Sequence, residues 1–181
     1  MNVIGIAASP RKNGNSQKLV EYILAGAEEN GADTELICLS DRTIGPCLAC
    51  DRCKNGSTTC VQQDGMTEIY EKIQKADAIV FGSPVYFGRL NAQSYLMLDR
   101  LYALIGTDCL SGKKISLVLT CRGSGEETIL PINAYLKMIA GFFGCSDGGL
   151  VWQNQLDAIT DLEKFPEKIA EAKEFGRNLS A

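Results

Sequence analysis

Short continuous apolar runs alternate with longer stretches of helical spacing along this 181-residue chain. The run Val3-Ile-Gly-Ile-Ala-Ala8 shows no polar alternation, which predicts a strand buried on both faces. It leads into a polar turn, Ser9-Pro-Arg-Lys-Asn-Gly-Asn-Ser16. A helix is expected from Asn15, with Leu19, Val20, Ile23, Leu24 and Ala27 on one face and Gly31 as its stop. Residues 34–39 predict a second strand, and Asp64 is placed to cap a helix carrying Met66, Ile69, Tyr70 and Ile73. Residues 78–82 predict a third strand with 83–88 as its exit loop. A helix over 92–105, a fourth strand over 115–120 and a helix from about 127 to 143 follow. A short fifth strand at Leu150-Val-Trp152 and a last helix from about Pro166 complete the chain.

Five strand–helix units in strict alternation predict an α/β fold. Its doubly wound, five-stranded parallel sheet should carry helices on both faces. No repeat or linker interrupts the alternation, so a single domain over residues 1–181 is expected, with an insertion at about 41–63.

Charge narrows the function. The 18 Lys and Arg are outnumbered by 22 Asp and Glu, and no basic block occurs, which argues against a nucleic-acid surface. No early apolar run has the length or basic lead of an export signal, and none approaches the roughly 20 residues of a membrane span. A cytoplasmic protein with no membrane partner is expected. Histidine is absent, which removes Ser-His triads, His-ligated zinc and imidazole bases. Of eight cysteines, four fall between Cys47 and Cys60, a clustering that points to metal or redox chemistry before disulfides.

Ligands of an open parallel sheet bind outside the carboxyl ends of the strands. The first such loop gathers Ser9, Arg11, Asn13, Gly14, Asn15 and Ser16 ahead of a helix start, whose free N–H groups and partial positive charge suit a phosphate. It has neither the G-x-G-x-x-G of a dinucleotide site nor the G-x-x-x-x-G-K-[ST] of a triphosphate site, so a mononucleotide fits better. Pro84, Val85, Tyr86, Phe87 and Gly88 offer a wall for a flat ring, although aromatics more often pack in a core or an interface. Thr120, Arg122, Gly123 and Gly125, with Ser124 between the glycines, could border the same ligand.

The insertion is the sharpest signal. Cys47-x2-Cys50-x2-Cys53-x6-Cys60 supplies four thiolates, and its compact C-x2-C-x2-C run suits a [4Fe–4S] cubane better than zinc, which favours two separated knuckles. Gly45, Pro46 and Gly56 suit a loop that wraps tightly around a ligand. Cys38, Cys109 and Cys145 are expected to pack as small hydrophobes, and Trp152 to belong to the core; Cys121 lies in a site loop.

Ser9-Pro-Arg-x-x-Gly-Asn-Ser16, Gly82-Ser-Pro-Val-Tyr-Phe-Gly88 and the four-cysteine insertion together resemble the iron–sulfur flavoproteins of the wider NADPH-dependent FMN reductase group. The resemblance spans the chain to about residue 155. It implies a flavodoxin-like sheet of order 2-1-3-4-5, with FMN phosphate in the 9–16 loop and its ring against 84–88 and 120–125. It also implies a cubane on Cys47, Cys50, Cys53 and Cys60, and a homodimer or homotetramer. The expected activity is electron passage between cluster, FMN and an external donor or acceptor, with ferredoxin or NAD(P)H as donor and a quinone or other small molecule as acceptor. The alternative is a cluster-free NAD(P)H-dependent FMN or quinone reductase with structural or zinc-binding cysteines. A phosphoryl receiver on the same fold would need carboxylates where this chain has Ala7-Ala8-Ser9.

Overall fold

The computed structural model describes residues 1–55, 59–123 and 125–180. In chain order the main elements are β1 (Asn2–Ala7), α1 (Asn15–Glu29), β2 (Asp33–Cys38), α2 (Gly65–Lys75), β3 (Ala78–Tyr86) and β4 (Arg89–Leu90). There follow α3 (Ala92–Arg100), β5 (Lys114–Thr120), α4 (Glu126–Phe142), β6 (Ser146–Gln153) and α5 (Pro166–Leu179). The five long strands pair in parallel in the order β2-β1-β3-β5-β6, the arrangement expected of a flavodoxin-like sheet.

The described residues contain six strands rather than five. β3 does not stop at Gly82: it continues through Ser83 and Pro84 to Tyr86, turns at Phe87–Gly88 and returns as the antiparallel two-residue β4. Both turn residues have left-handed backbones, with φ of +49° and +73°, as a two-residue hairpin matching the strand twist requires. The expected exit loop is therefore mostly strand. Two further boundaries move. α3 ends at Arg100 and hands over to a 3-10 turn at Leu101–Leu104. β6 begins at Ser146, four residues early, because a register irregularity beside Ile115 and Ser116 absorbs Gly148 into the ladder.

Strand alternation sends Val3, Val80, Val118 and Val151 to one face, where Leu19, Val20, Ile23 and Leu162 cover them. Ile6, Phe81, Leu117 and Leu119 face the other way, against Ile69, Met97 and Ile129. Each such side chain, fully buried, contributes about 1.5–3 kcal/mol. α1 and α5 cross so closely that a Cβ on Gly26 would lie 1.9 Å from the Lys173 carbonyl, and one on Gly176 equally close to that of Ile23. Either Gly→Ala change would force the helices apart.

Covering of the second face is less complete. Only Ile129 and Ile132 of α4 are buried, and an apolar hollow of about 190 Å³ lies beneath the helix. Its lining includes Lys137 of α4 with Ile115 and Asp147, at the amino ends of β5 and β6 and away from the site loops. The remaining thiols largely follow expectation. Cys109 and Cys145 pack half-buried against this core, and burial pushes both thiols and that of Cys38 up from the ordinary range. Trp152 packs half-buried in the same place.

Candidate functional site

Parallel strands all end at one edge, so the loops after β1, β3 and β5 meet there. They enclose a cleft of about 280 Å³. Of the residues expected there, Ser9, Arg11, Gly14, Asn15, Ser16, Pro84, Val85, Tyr86, Thr120 and Arg122 line it. Asn13, Phe87, Gly88, Gly123 and Gly125 do not. Ser124 and Gly56 lie outside the described residues.

The first loop is built to leave donors free. Gly14 caps α1 in an extended conformation and, as a glycine, offers the first N–H groups of the helix no side chain of its own. Ser9 Oγ accepts from the Arg11 N–H at 3.1 Å and tightens the turn. Asn13 adopts φ +55°, and its N–H donates to Gln17 Oε1 at 2.9 Å, so its role is the turn itself. Asn15 is also committed: its Nδ2 donates to the Ala158 carbonyl at 2.8 Å, and its Oδ1 accepts from the Leu162 N–H at 3.2 Å.

Those contacts reveal a wall that the sequence reading missed. Leu156, Asp157 and Ile159, beyond β6, line the cleft together with the buried Cys121. Asp161 holds this segment in place by accepting from the Asp157 and Ala158 N–H groups, both at 2.7 Å. Lys164, then those N–H groups, lower its carboxyl to about 2. The available signal was topological, since the loop after the last parallel strand leaves from the same edge.

A buried polar cluster fixes the ring-side wall. Asn91, 1% exposed, donates from Nδ2 to the Ala8 carbonyl at 2.5 Å, and its Oδ1 accepts from Ser83 Oγ at 3.0 Å and Ser94 Oγ at 2.6 Å. It ties the end of β1 to β3 and α3. Tyr86 thus reaches the cleft from a rigid strand, while Phe87 stands fully in solvent at the hairpin tip. Free donors at a helix start, two arginines and a ring-sized wall fit FMN.

The cysteine segment leaves from the end of β2, on the same edge. Its neck is closed: the Gly45 N–H donates to Asp64 Oδ2 at 2.9 Å and the Gly65 N–H to the Thr43 carbonyl at 3.0 Å. Asp64 also caps α2 as expected, accepting from the Met66 N–H at 3.0 Å. The far part of the loop is moored to the end of α3. Lys54 donates to the Ile105 carbonyl at 2.6 Å and lies 4.8 Å from the Tyr102 ring centroid, and the Tyr102 hydroxyl donates to Asp51 Oδ1 at 3.1 Å.

Cys47 and Cys50 are exposed, Cys53 and Cys60 half-buried, and none is in a disulfide. Four free thiols are the donor set a cubane takes. Among the described residues, however, no three metal-ligating side chains converge, so a bound cluster would require the segment to close around it.

Comparisons with known proteins speak to the family and the fold. Residues 1–156 match the NADPH-dependent FMN reductase family. An iron–sulfur flavoprotein of Methanocaldococcus jannaschii is 38% identical over 138 residues, covering 75% of this chain and 71% of that one. An iron–sulfur flavoprotein of Methanosarcina thermophila is 34% identical over 160 residues, covering 84% and 83%. The structure of an NAD(P)H:quinone oxidoreductase from Methanothermobacter marburgensis matches with a TM-score of 0.76 over 100% of this chain and 98% of that one, at 18% identity, and so speaks for the fold alone. With sequence family and fold in agreement, the chain belongs to the NADPH-dependent FMN reductase family and is a flavodoxin-like FMN oxidoreductase.

Proposed function

We propose that this protein passes electrons between a [4Fe–4S] cluster on Cys47, Cys50, Cys53 and Cys60, FMN in the cleft, and an external donor or acceptor. Reduced ferredoxin or NAD(P)H would serve as donor, and a quinone or other small oxidant as acceptor. The observation that carries this reading is the common edge. The four-thiol segment follows β2 and the FMN cleft lies at the ends of β1, β3 and β5, so both leave the sheet on one side. The naming of the two archaeal relatives as iron–sulfur flavoproteins supports it.

FMN, when bound, supplies one- and two-electron chemistry and so can join a cluster to a hydride donor. The chain's own residues bind and orient. The α1 start, Ser9, Ser16 and Arg11 would hold the phosphate; Pro84 to Tyr86 on one side and Thr120 with Arg122 on the other would hold the ring. Hydride transfer needs stacking and orientation rather than a base, and the lining contains no histidine.

Self-association belongs to the same proposal. Leu130, Tyr135, Met138 and Phe142 form an exposed apolar stripe on α4, from 40% to 67% accessible. A second copy is the occupant that would give the homodimer or homotetramer.

Protein prepared without oxygen and assayed for iron, acid-labile sulfide and flavin tests the reading. The expected content is about four iron and four sulfide per chain, as in a cubane, with FMN. Stoichiometric zinc without sulfide overturns it. One observation favours a second reading: the thiols do not converge among the described residues. A cluster-free NAD(P)H-dependent FMN or quinone reductase would then turn over at full rate in protein containing neither iron nor zinc.

A further inference from the structure

Among the described residues, Arg100 is the largest side chain that is fully buried, with 1% exposure. It stands at the last position of α3, and its guanidinium reaches both sides of the cysteine segment's neck. Nη1 donates to the Gly45 carbonyl at 2.9 Å and to Asp64 Oδ2 at 2.6 Å, while Nη2 donates to Asp64 Oδ1 at 3.1 Å. The Tyr70 hydroxyl closes over the site by donating to the Arg100 carbonyl at 2.6 Å. Among the described residues, Arg100 Nε has no hydrogen-bond partner.

Stability alone explains this arrangement poorly. Replacing a buried ion pair by apolar residues of similar volume is often neutral or stabilising, and a buried N–H without a partner costs about 1–3 kcal/mol. The neighbourhood suggests another use. Gly45 stands two residues before Cys47 and Asp64 four residues after Cys60, so the guanidinium bridges the chain on either side of the four cysteines. The returning end of the segment is therefore held at Asp64 by the buried guanidinium.

We propose that Arg100 is the positioning residue of the four-cysteine segment. It locks Gly45 to Asp64 and sets a buried positive charge at the neck from which Cys47 and Cys60 leave. A tetrathiolate cubane is an anion, and its affinity and potential respond to nearby charge and to hydrogen bonds on sulfur. The inference rests on the cluster reading above.

Full-length wild type, Arg100→Lys and Arg100→Met, each loaded with iron and sulfide without oxygen, separate the two ideas. Retention of FMN, whose cleft does not include Arg100, reports folding of each variant. Arg100→Met should lose iron to a chelator about 10-fold faster or more, the usual effect of removing an outer partner of a metal ligand. Its cluster should also have a more negative midpoint potential, because a positive charge has gone. Arg100→Lys keeps the charge but not the fork, so it should lose iron faster with a potential nearer to wild type. If Arg100→Met fails to retain FMN, the iron retention of Arg100→Lys decides. Wild-type retention and potential in the folded variants overturn the role of Arg100 and leave the cluster reading standing. A wild type that takes up neither iron nor sulfide overturns both.

Discussion

Arg122 and Asp157 meet at the mouth of the cleft, Nη2 to Oδ2 at 2.9 Å, with most of both side chains in water. Arg11 reaches the same residue from the opposite rim, donating from Nη1 to the Asp157 carbonyl at 3.2 Å. Exposed contacts of this kind contribute little by themselves, typically about 0–1 kcal/mol. Arg11 can therefore exchange the Asp157 carbonyl for a phosphate, which binds a guanidinium more strongly. Arg11→Ala is expected to weaken FMN binding by about 1.5–3 kcal/mol, the worth of a charge-assisted hydrogen bond. Lys12 is occupied by Asp41 at 2.8 Å, and Lys12→Ala should change affinity by less than about 0.5 kcal/mol. Titration of the three apoproteins with FMN by fluorescence quenching measures both, and equal losses in the two variants would refute the assignment.

Acid should loosen the fourth wall of the cleft before the rest of the fold. The Asp161 carboxyl titrates at about 2 in the folded chain against an ordinary 3.8, chiefly because of Lys164 and the N–H groups of Ala158 and Asp157. A depressed folded value means that the contribution is complete above 3.8 and is lost as pH falls through 2. Asp161→Asn should melt below wild type at neutral pH and converge with it at the acid end of that window. FMN affinity should follow the same curve. Parallel melting curves for the two proteins down to pH 2 would show that Asp161 does not hold this loop.

The two groups of cysteines should behave differently. Replacing Cys47, Cys50, Cys53 or Cys60 by Ser is expected to remove iron and sulfide while leaving FMN bound. Cys145, whose thiol donates to the Leu110 carbonyl at 3.2 Å, sits in the core instead. Cys145→Ser should leave iron unchanged, as measured by iron and sulfide assays on anaerobic preparations. Iron loss in Cys145→Ser equal to that in Cys53→Ser would erase the distinction.

The direction of electron entry is open to rapid-mixing spectroscopy. In Cys53→Ser, reduction of FMN by ferredoxin should fall by at least an order of magnitude, while direct reduction by NAD(P)H should survive because hydride transfer needs only stacking and orientation. A mutant flavin reduced by ferredoxin at the wild-type rate would give the cluster no part in single-electron entry.

Met138→Lys with Phe142→Glu on α4 should shift the solution mass toward the monomer. Light scattering measures this directly, and an unchanged mass would place the subunit contact elsewhere.

Local patterns carried much of the fold. Continuous apolar runs marked the buried strands, and Asp64 ahead of Met66 marked a helix start that the structure reproduces. Gly88 marked the turn, but Pro84 misled. Pro84 is paired in β3 opposite Thr120, and the residue that shares the left-handed turn with Gly88 is a phenylalanine, a type that rarely adopts such a backbone. Asn91 and Asp157 act through partners far along the chain, the Ala8 carbonyl and the Arg11 guanidinium. No short-range spacing records contacts of that kind. The cysteine spacing marked a segment but not how it is held, since Arg100 ends α3 and Tyr102 lies in the turn that follows, where the periodicity reads as ordinary packing.

The closed neck between Gly45 and Asp64 makes residues 46–63 a detachable cassette. Their two ends are already joined by hydrogen bonds, and none of the described residues within them is buried. Shortening a loop whose ends already meet changes its closure entropy only slowly with length, by about 0.6 kcal/mol per halving. A deletion that joined the neck directly would leave the sheet, both packed faces and the FMN cleft with their present contacts. On this scaffold the loss or gain of the four-cysteine segment is a local editing event, and a reductase with the cassette can differ from one without it by a single exchanged loop.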